Sequence, residues 1–206
     1  ALAFAITEEA IEDNLYDKIS TRYTKALARS MAQTKQVKAA SILDNAFTAG
    51  SSAGGDGKAL LATDHPTIAG TFSNELATSA DLSETSLEQS VIDIAKMTDE
   101  RGFKIAATGQ KLIIHPAQQF IAERIMKSAN RVGTADNDIN ALASKGMIPQ
   151  GYVVNNFIAD DDAFYIKTDV PNGLKHMVRA PIKTAMEGDF ETGNVRYKAR
   201  ERYSFG

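Results

Sequence analysis

Apolar residues recur at a helical spacing through the first quarter of the chain and at a spacing of two through its last part. Between Ala1 and Ala49 there is neither glycine nor proline. Ile11, Leu15, Ile19, Tyr23, Leu27 and Met31 fall at every fourth position, and helix-favouring Ala, Lys, Gln and Leu carry the run to Phe47, before Gly50. Thr7 stands where an N-cap belongs, with Glu8 and Glu9 at the positive end of the dipole and Ile6 placed to staple onto Ile11. The pattern predicts one helix of about 40 residues, or two nearly collinear ones, spanning roughly 60 Å. A compact chain of this length has a diameter of only about 43 Å, so a flat or elongated subunit is expected. Because the spacing is four and not 3.6, the stripe creeps by roughly 200° between Ile11 and Met31. Ile11–Ile19 and Val37–Phe47 should therefore bury against different surfaces; a helix broken near Gln33 and Thr34 and folded back is the competing arrangement.

From Gly50 to about Ala80 the texture turns to Gly, Ser, Thr and Asp, with Gly54, Gly55, Gly57 and Pro66. A connection of some thirty residues marks a domain crossing, an interaction surface or a mobile segment, and a domain boundary is the preferred reading. Asp81 or Ser83 then caps an amphipathic helix with Leu87, Val91, Ile94, Ala95 and Thr98 on one face, closed by Gly102. Lys111–His115 reads as a strand, Phe120, Ile121, Ile125 and Met126 as a helix after Pro116, and Asp138–Ser144 as a weaker helix before Gly146 and Pro149.

Beyond that point the period is two. Tyr152–Ile158, Phe164–Thr168, Leu174–Arg179, Ile182–Met186 and Asn194–Phe205 read as strands between turn-forming runs. Helices first and an antiparallel sheet system last indicate an α+β fold. The last strand is the most sharply patterned: Val195, Tyr197, Ala199, Tyr203 and Phe205 share one face, and Arg196, Lys198, Arg200 and Arg202 share the other. Three uses of that basic row stay open: a solvated edge-protecting face, a salt-bridging contact with a neighbouring subunit, or contact with DNA phosphates. Without interleaved exposed aromatics it lacks the stacking surface of single-strand binders.

Composition narrows the remaining classes. The 206 residues are 43% apolar and 24% charged, with a net charge of −3, which fits an ordinary globular chain of one or two domains and marks no nucleic-acid binder. Cysteine is absent, so disulfides, thiol catalysis and thiolate zinc sites are excluded. No apolar run approaches 18 residues and no signal-peptide pattern opens the chain, so neither a membrane nor secretion is expected.

Motifs that suggest chemistry break down at the residues that matter. Placing Gly57-Lys58 as the end of a phosphate loop puts Ser52 in the first glycine position and Ala59 where Ser or Thr should hold magnesium. Asp136, Asp138 and Asn140 begin like a calcium loop, yet Ala141 replaces its glycine and Met147 its bidentate glutamate; a capped helix start explains them better. His65, His115 and His176 are scattered, two of them before prolines, and no pair shares a helix face as a zinc set would. Asp160, Asp161 and Asp162 read as a solvated turn, with cation binding the alternative. No serine stands in a G-x-S-x-G elbow. No catalytic residue, cofactor or metal is expected; a metal-binding or enzyme domain using His65, His115 and the aspartate run is the competing class.

Several blocks, in order, resemble the major capsid (head) proteins of tailed double-stranded DNA bacteriophages, including the Mu-like head subunits. They are Phe4-Ala5-Ile6-Thr7-Glu8-Glu9-Ala10-Ile11-Glu12-Asp13 with the long helix, Asp56-Gly57-Lys58-Ala59-Leu60 with Asp64-His65-Pro66, and Ala80-Asp81-Leu82-Ser83. At the other end they are Lys167-Thr168-Asp169-Val170-Pro171-Asn172-Gly173-Leu174-Lys175, Met186-Glu187-Gly188-Asp189-Phe190, and the strand from Asn194 to Phe205.

The resemblance implies a spine helix within a peripheral domain, residues 1–55 with the return strands 181–206, and an axial domain over 56–180. It also implies that the family's N-terminal arm and extended loop are missing from this chain. The implied function is structural: copies of the chain, as hexamers and pentamers, assemble with scaffold and portal proteins into an icosahedral shell that encloses double-stranded DNA. The implied location is the virion, and the host cytoplasm during assembly. A bacterial nanocompartment shell of the same fold, enclosing cargo protein, is the near alternative.

Overall fold

The structure, a computed structural model, describes residues 1–13, 15–48, 55–131 and 138–206. Gly50 as helix stop, Gly54, Ser52 of the phosphate-loop reading and Asp136 of the calcium-loop reading lie outside the described residues. The chain divides into two compact units: a terminal unit, Ala1–Ala39 with Leu174–Gly206, and a central unit, Ala40–Gly173.

The terminal unit starts with a strand that the helical reading had not assigned, β1 (Leu2–Ile6), followed by a five-residue helix α1 (Glu8–Glu12) and then α2 (Tyr16–Asp44), whose last residues belong to the central unit. Thr7 occupies the N-cap position of α1 but its side chain makes no cap bond. The expected helix of 40 residues is thus cut after Glu12, where Asp13, a weak helix former, is the C-cap of α1. At 29 residues α2 is roughly 44 Å long, which is shorter than the expected 60 Å and about equal to the diameter of a compact chain of this size.

Helix α2 runs unbroken through Gln33 and Thr34, but Leu15, Val37 and Phe47 stay about half exposed, so the burial expected for Ile11–Ile19 and Val37–Phe47 is met only in part. Tyr23 packs on Phe4 of β1, with ring centroids 5.6 Å apart, while Ala40 and Leu43 pack with Ile158 and Tyr165 of the central unit. The helix ends at Asp44, short of Phe47, where the carboxylate of Asp44 accepts the Ala159 N–H at 2.8 Å and the Asn45 amide turns back to donate to Ser41 O at 2.7 Å.

In the central unit, β2 (His65–Thr67) and β3 (Gly70–Phe72) form a small antiparallel hairpin inside what the sequence had suggested was connector. Helix α3 (Glu84–Lys96) begins with a capping box between Ser83 and Ser86, which selects Ser83 over Asp81 as the cap. It stops at Lys96, so Thr98 and Gly102 fall beyond it; Gly102, at φ +86°, serves a turn in which its N–H bonds Asp99 O. Strand β4 (Gly109–Ile114), a 3-10 turn at Pro116–Gln118, α4 (Gln119–Lys127) and α5 (Ala141–Lys145) follow. β4 is the centre of a three-stranded sheet, parallel to β5 (Tyr152–Val154) and antiparallel to β6 (Phe164–Thr168). The strand expected through Ile158 ends at Val154, because the Asn155 side chain accepts the Phe157 N–H and forms a turn.

Leu87 of α3, Leu112 and Ile114 of β4, Ala122 and Ile125 of α4, and Leu142 of α5 close the core of the central unit. Asn140 anchors one side of it. Its Oδ1 accepts the N–H groups of Leu142 and Ala143 as the N-cap of α5, and its Nδ2 donates to Ile125 O at 2.6 Å.

The terminal unit is completed by β7 (His176–Gly188) and β8 (Val195–Phe205), in the antiparallel order β1-β8-β7. The two strands expected at Leu174–Arg179 and Ile182–Met186 are one strand of 13 residues. It passes through Pro181 because β7 is an edge strand, where a missing N–H is tolerated, and register shifts flank Ala180 to absorb the proline. The turn joining β7 to β8 meets the start of α1: the Glu8 N–H donates to Asn194 Oδ1 at 3.3 Å. Strands and helices are interspersed along the chain and β4 pairs in parallel with β5, so the expected order of helices first and an antiparallel sheet system last does not hold, but the mixture of helices and sheets is of the α+β class.

Candidate assembly surface

Alternation along β8 places the residues as its sequence pattern requires. Val195, Tyr197, Ala199, Glu201, Tyr203 and Phe205 are buried or half-buried, and Arg196, Lys198, Arg200 and Arg202 are exposed. The covered face lies against α2. Phe4 stacks on Tyr197 at 5.3 Å, and Lys35 reaches from α2 to Glu201 at 2.7 Å with its ammonium 5.3 Å from the Tyr203 ring centre.

The open face is basic because its register makes it so. Arg196 stands opposite Glu187 of β7 and Ala5 of β1, Lys198 opposite Ala185 and Ala3, and Arg200 opposite Lys183. The neighbours on β1 are short, so the cationic side chains are the tallest groups there. Arg196 is held by Asp189 at 2.6 Å. Sequence reasoning had missed Lys183, because its place beside Arg200 depends on the bulges in β7.

Strand β7 is exposed almost throughout, and Met177, Val178, Ile182 and Met186 each leave more than half of their surface open. A groove of about 340 Å³ runs between β7 and α2, lined by Ala28, Met31, Ala32, Val178, Pro181 and Ile182. Apolar area of this kind on an edge strand fits a surface that is covered by association.

The residues that suggested chemistry are occupied in holding loops. His65 lies between Asp56 Oδ2, 2.7 Å from Nδ1, and Asn74 Oδ1, 3.2 Å from Nε2; the hydrogen bond to His65 and the Lys58 N–H hold the Asp56 carboxyl below its usual range. Lys58 pairs with Asp64. His115 Nδ1 accepts the Ala117 N–H at the start of the 3-10 turn, and His176 stacks on Phe205 at 4.7 Å. The three histidines are therefore in separate settings.

Asp160 Oδ1 accepts the N–H groups of Asp162 and Ala163, which makes the aspartate run the turn that was expected. Repulsion from Asp161, then from Asp81, holds the Asp162 carboxyl above its usual range. Beneath this turn Gln118, only 5% exposed, donates from Nε2 to Asp162 O at 2.6 Å while its Oε1 has no partner. Among the described residues no group of three or more His, Asp or Glu side chains is placed to hold a metal ion, and no helix is long and apolar enough to cross a membrane.

These features define a protein that acts through its surfaces, with an open basic sheet, an exposed apolar edge and polar networks that brace loops. Residues 1–206 match the phage capsid protein family, and the chain belongs to it. No curated protein and no solved structure matches the chain. Members of this family are structural proteins of bacteriophage capsids and not enzymes, so the chain is a structural capsid subunit whose partners are copies of itself in a shell.

Proposed function

We propose that the chain is the shell-building subunit of a tailed-phage head, which self-assembles into an icosahedral shell around packaged double-stranded DNA. The observation that carries this reading is the terminal unit: a three-stranded sheet whose 13-residue edge strand leaves its apolar side chains open, in a chain of the phage capsid family. A surface of that kind is made to be covered by neighbours.

In this reading α2 is the spine, residues 1–55 and 181–206 form the peripheral domain, and 56–180 form the axial domain. The division of the chain into a terminal and a central unit supports an arrangement in which the chain leaves one domain and returns to it; the exchange points in that division lie at Ala39/Ala40 and Gly173/Leu174. Ala46, fully buried in the cluster with Ile158 and Tyr165, is the reason that the end of the helix goes with the central unit. Hexamers and pentamers of the chain, scaffold and portal proteins are its partners, and the protein passes from the host cytoplasm into the virion.

Electron microscopy of the complete protein expressed with its assembly partners tests this. Closed icosahedral particles containing DNA are expected. Persistent monomers overturn the reading, and shells filled with cargo protein in place of DNA replace it with a nanocompartment.

A further inference from the structure

The basic face of β8 is not neutralised by its own unit. Among the described residues Arg196 has Asp189, whereas Lys198, Arg200 and Arg202 have no ion pair. Arg200 also stands directly opposite Lys183, and like charges facing each other across two strands destabilise a sheet. An anionic surface brought against this face removes that repulsion.

The two units carry opposite charge. The terminal unit has 13 Lys and Arg against 9 Asp and Glu, a net +4, and the central unit has 10 against 17, a net −7. The densest exposed acidic stretch of the central unit is Asp160, Asp161 and Asp162, with Asp81 close enough to repel Asp162. None of these four has an ion pair among the described residues. Asp160 is engaged in its own turn, which fixes the backbone that presents Asp161 and Asp162.

We propose that the sheet face formed by Arg196, Lys198, Arg200, Arg202 and Lys183 docks against the acidic surface of the central unit of a second copy, centred on Asp161 and Asp162. The proposal rests on the shell reading above and names the contact within it. A basic patch on one unit and an acidic patch on the other make a heterologous contact between copies, the type that generates rings when the rotation closes. Carboxylates are preferred to phosphates as the occupant because every copy carries both one basic face and one acidic patch. The exposed face of β8 also offers no aromatic ring for a base to stack on.

The test compares four forms of the complete protein, expressed with its assembly partners and checked by circular dichroism for an unchanged melt. They are the unaltered protein, the chain with Lys198→Glu, Arg200→Glu and Arg202→Glu, the chain with Asp161→Lys and Asp162→Lys, and the chain with all five changes. Each single-face variant should need a roughly hundredfold or higher concentration to form particles, and the five-change chain should return to within about tenfold of the unaltered protein. A folded single-face variant that assembles at the original concentration overturns the proposal, as does a five-change chain that assembles no better than either parent. Particles that form normally but lose their DNA also overturn it, and assign the face to phosphate. Salt provides a measurement that needs no variant: assembly of the unaltered protein should weaken as ionic strength rises, and salt-independent assembly speaks against the contact. If the unaltered protein never assembles, the shell reading itself fails and takes this contact with it, an outcome distinct from failure of the variants alone.

Discussion

The central unit closes on itself and the terminal unit does not. Of the 18 buried apolar residues among the described ones, 15 lie in the central unit and three, Ile6, Met31 and Ala199, in the terminal unit. The central unit packs helices α3, α4 and α5 against a sheet whose middle strand, β4, is covered on both sides by strands. The terminal unit instead has one sheet with one helix against one of its faces. Its other face is charged, and its outer strand exposes Met177, Val178, Ile182 and Met186. A unit that buries this little has few apolar contacts of its own to offset the entropy of ordering its strands. Within one chain, stability is generated in the central unit, and the terminal unit is left to gain it by association.

If that contrast holds, substitutions should be costly in the central unit and cheap in the terminal one. Leu112 is fully buried at the centre of β4, so Leu112→Ala should destabilise the protein by about 2–5 kcal/mol, read from chemical or thermal unfolding. A cost below about 1 kcal/mol would break the comparison at its strongest point. Asn140→Ala removes the cap of α5 and leaves the Ile125 carbonyl without its donor, an expected loss of about 1–3 kcal/mol by the same measurement.

Tyr165 sharpens the contrast through pH. Its hydroxyl donates to Leu43 O at 2.9 Å, and burial, with the Asp160 and Asp44 charges behind it, pushes its pKa from 10.0 up to about 12. Because the folded value is raised, the contribution of this group is complete below pH 10 and is lost as pH rises through about 12. Tyr165→Phe should cost about 0.5–1.5 kcal/mol at neutral pH, and should remove this group's share of the alkaline loss. A pH-stability profile of both proteins decides it, and parallel curves above pH 10 would count against the assignment.

The smallest effect belongs to the edge strand. Ile182 is 54% exposed, so Ile182→Ser should change the stability of the unassembled chain by no more than about 0.5 kcal/mol. A larger loss would mean that β7 is held by contacts within its own unit, and the comparison would need redrawing.

The sequence was most informative where structure is set by near neighbours. Ser83 as a helix cap, α4 after Pro116, β6 and the two faces of β8 follow from capping chemistry and from the periods of helix and strand, which a few adjacent residues suffice to express. The basic row was legible for the same reason. What stayed hidden were the features that need a distant partner. Leu2–Ile6 reads as the approach to a helix until it pairs with Ala199–Val195, almost the whole length of the chain away. Pro181 reads as a strand breaker until β7 is seen to be an edge. Lys183 joins the basic face only through the register of β7 with β8.

The opening run of 49 residues without glycine or proline carries both lessons. By itself the sequence determined that most of it is helix, because apolar spacing and helix geometry are local quantities. Tertiary structure decided the rest. A strand comes first because β8 offers it a free edge, and the helix is cut after Glu12 and ends at Asp44. The division between the two units falls at Ala39 and Ala40, within that helix, and Ala40 and Ala46 are buried beside Ile158 and Tyr165. Pairing and burial of that kind are settled by residues more than a hundred positions away, and no local pattern encodes them.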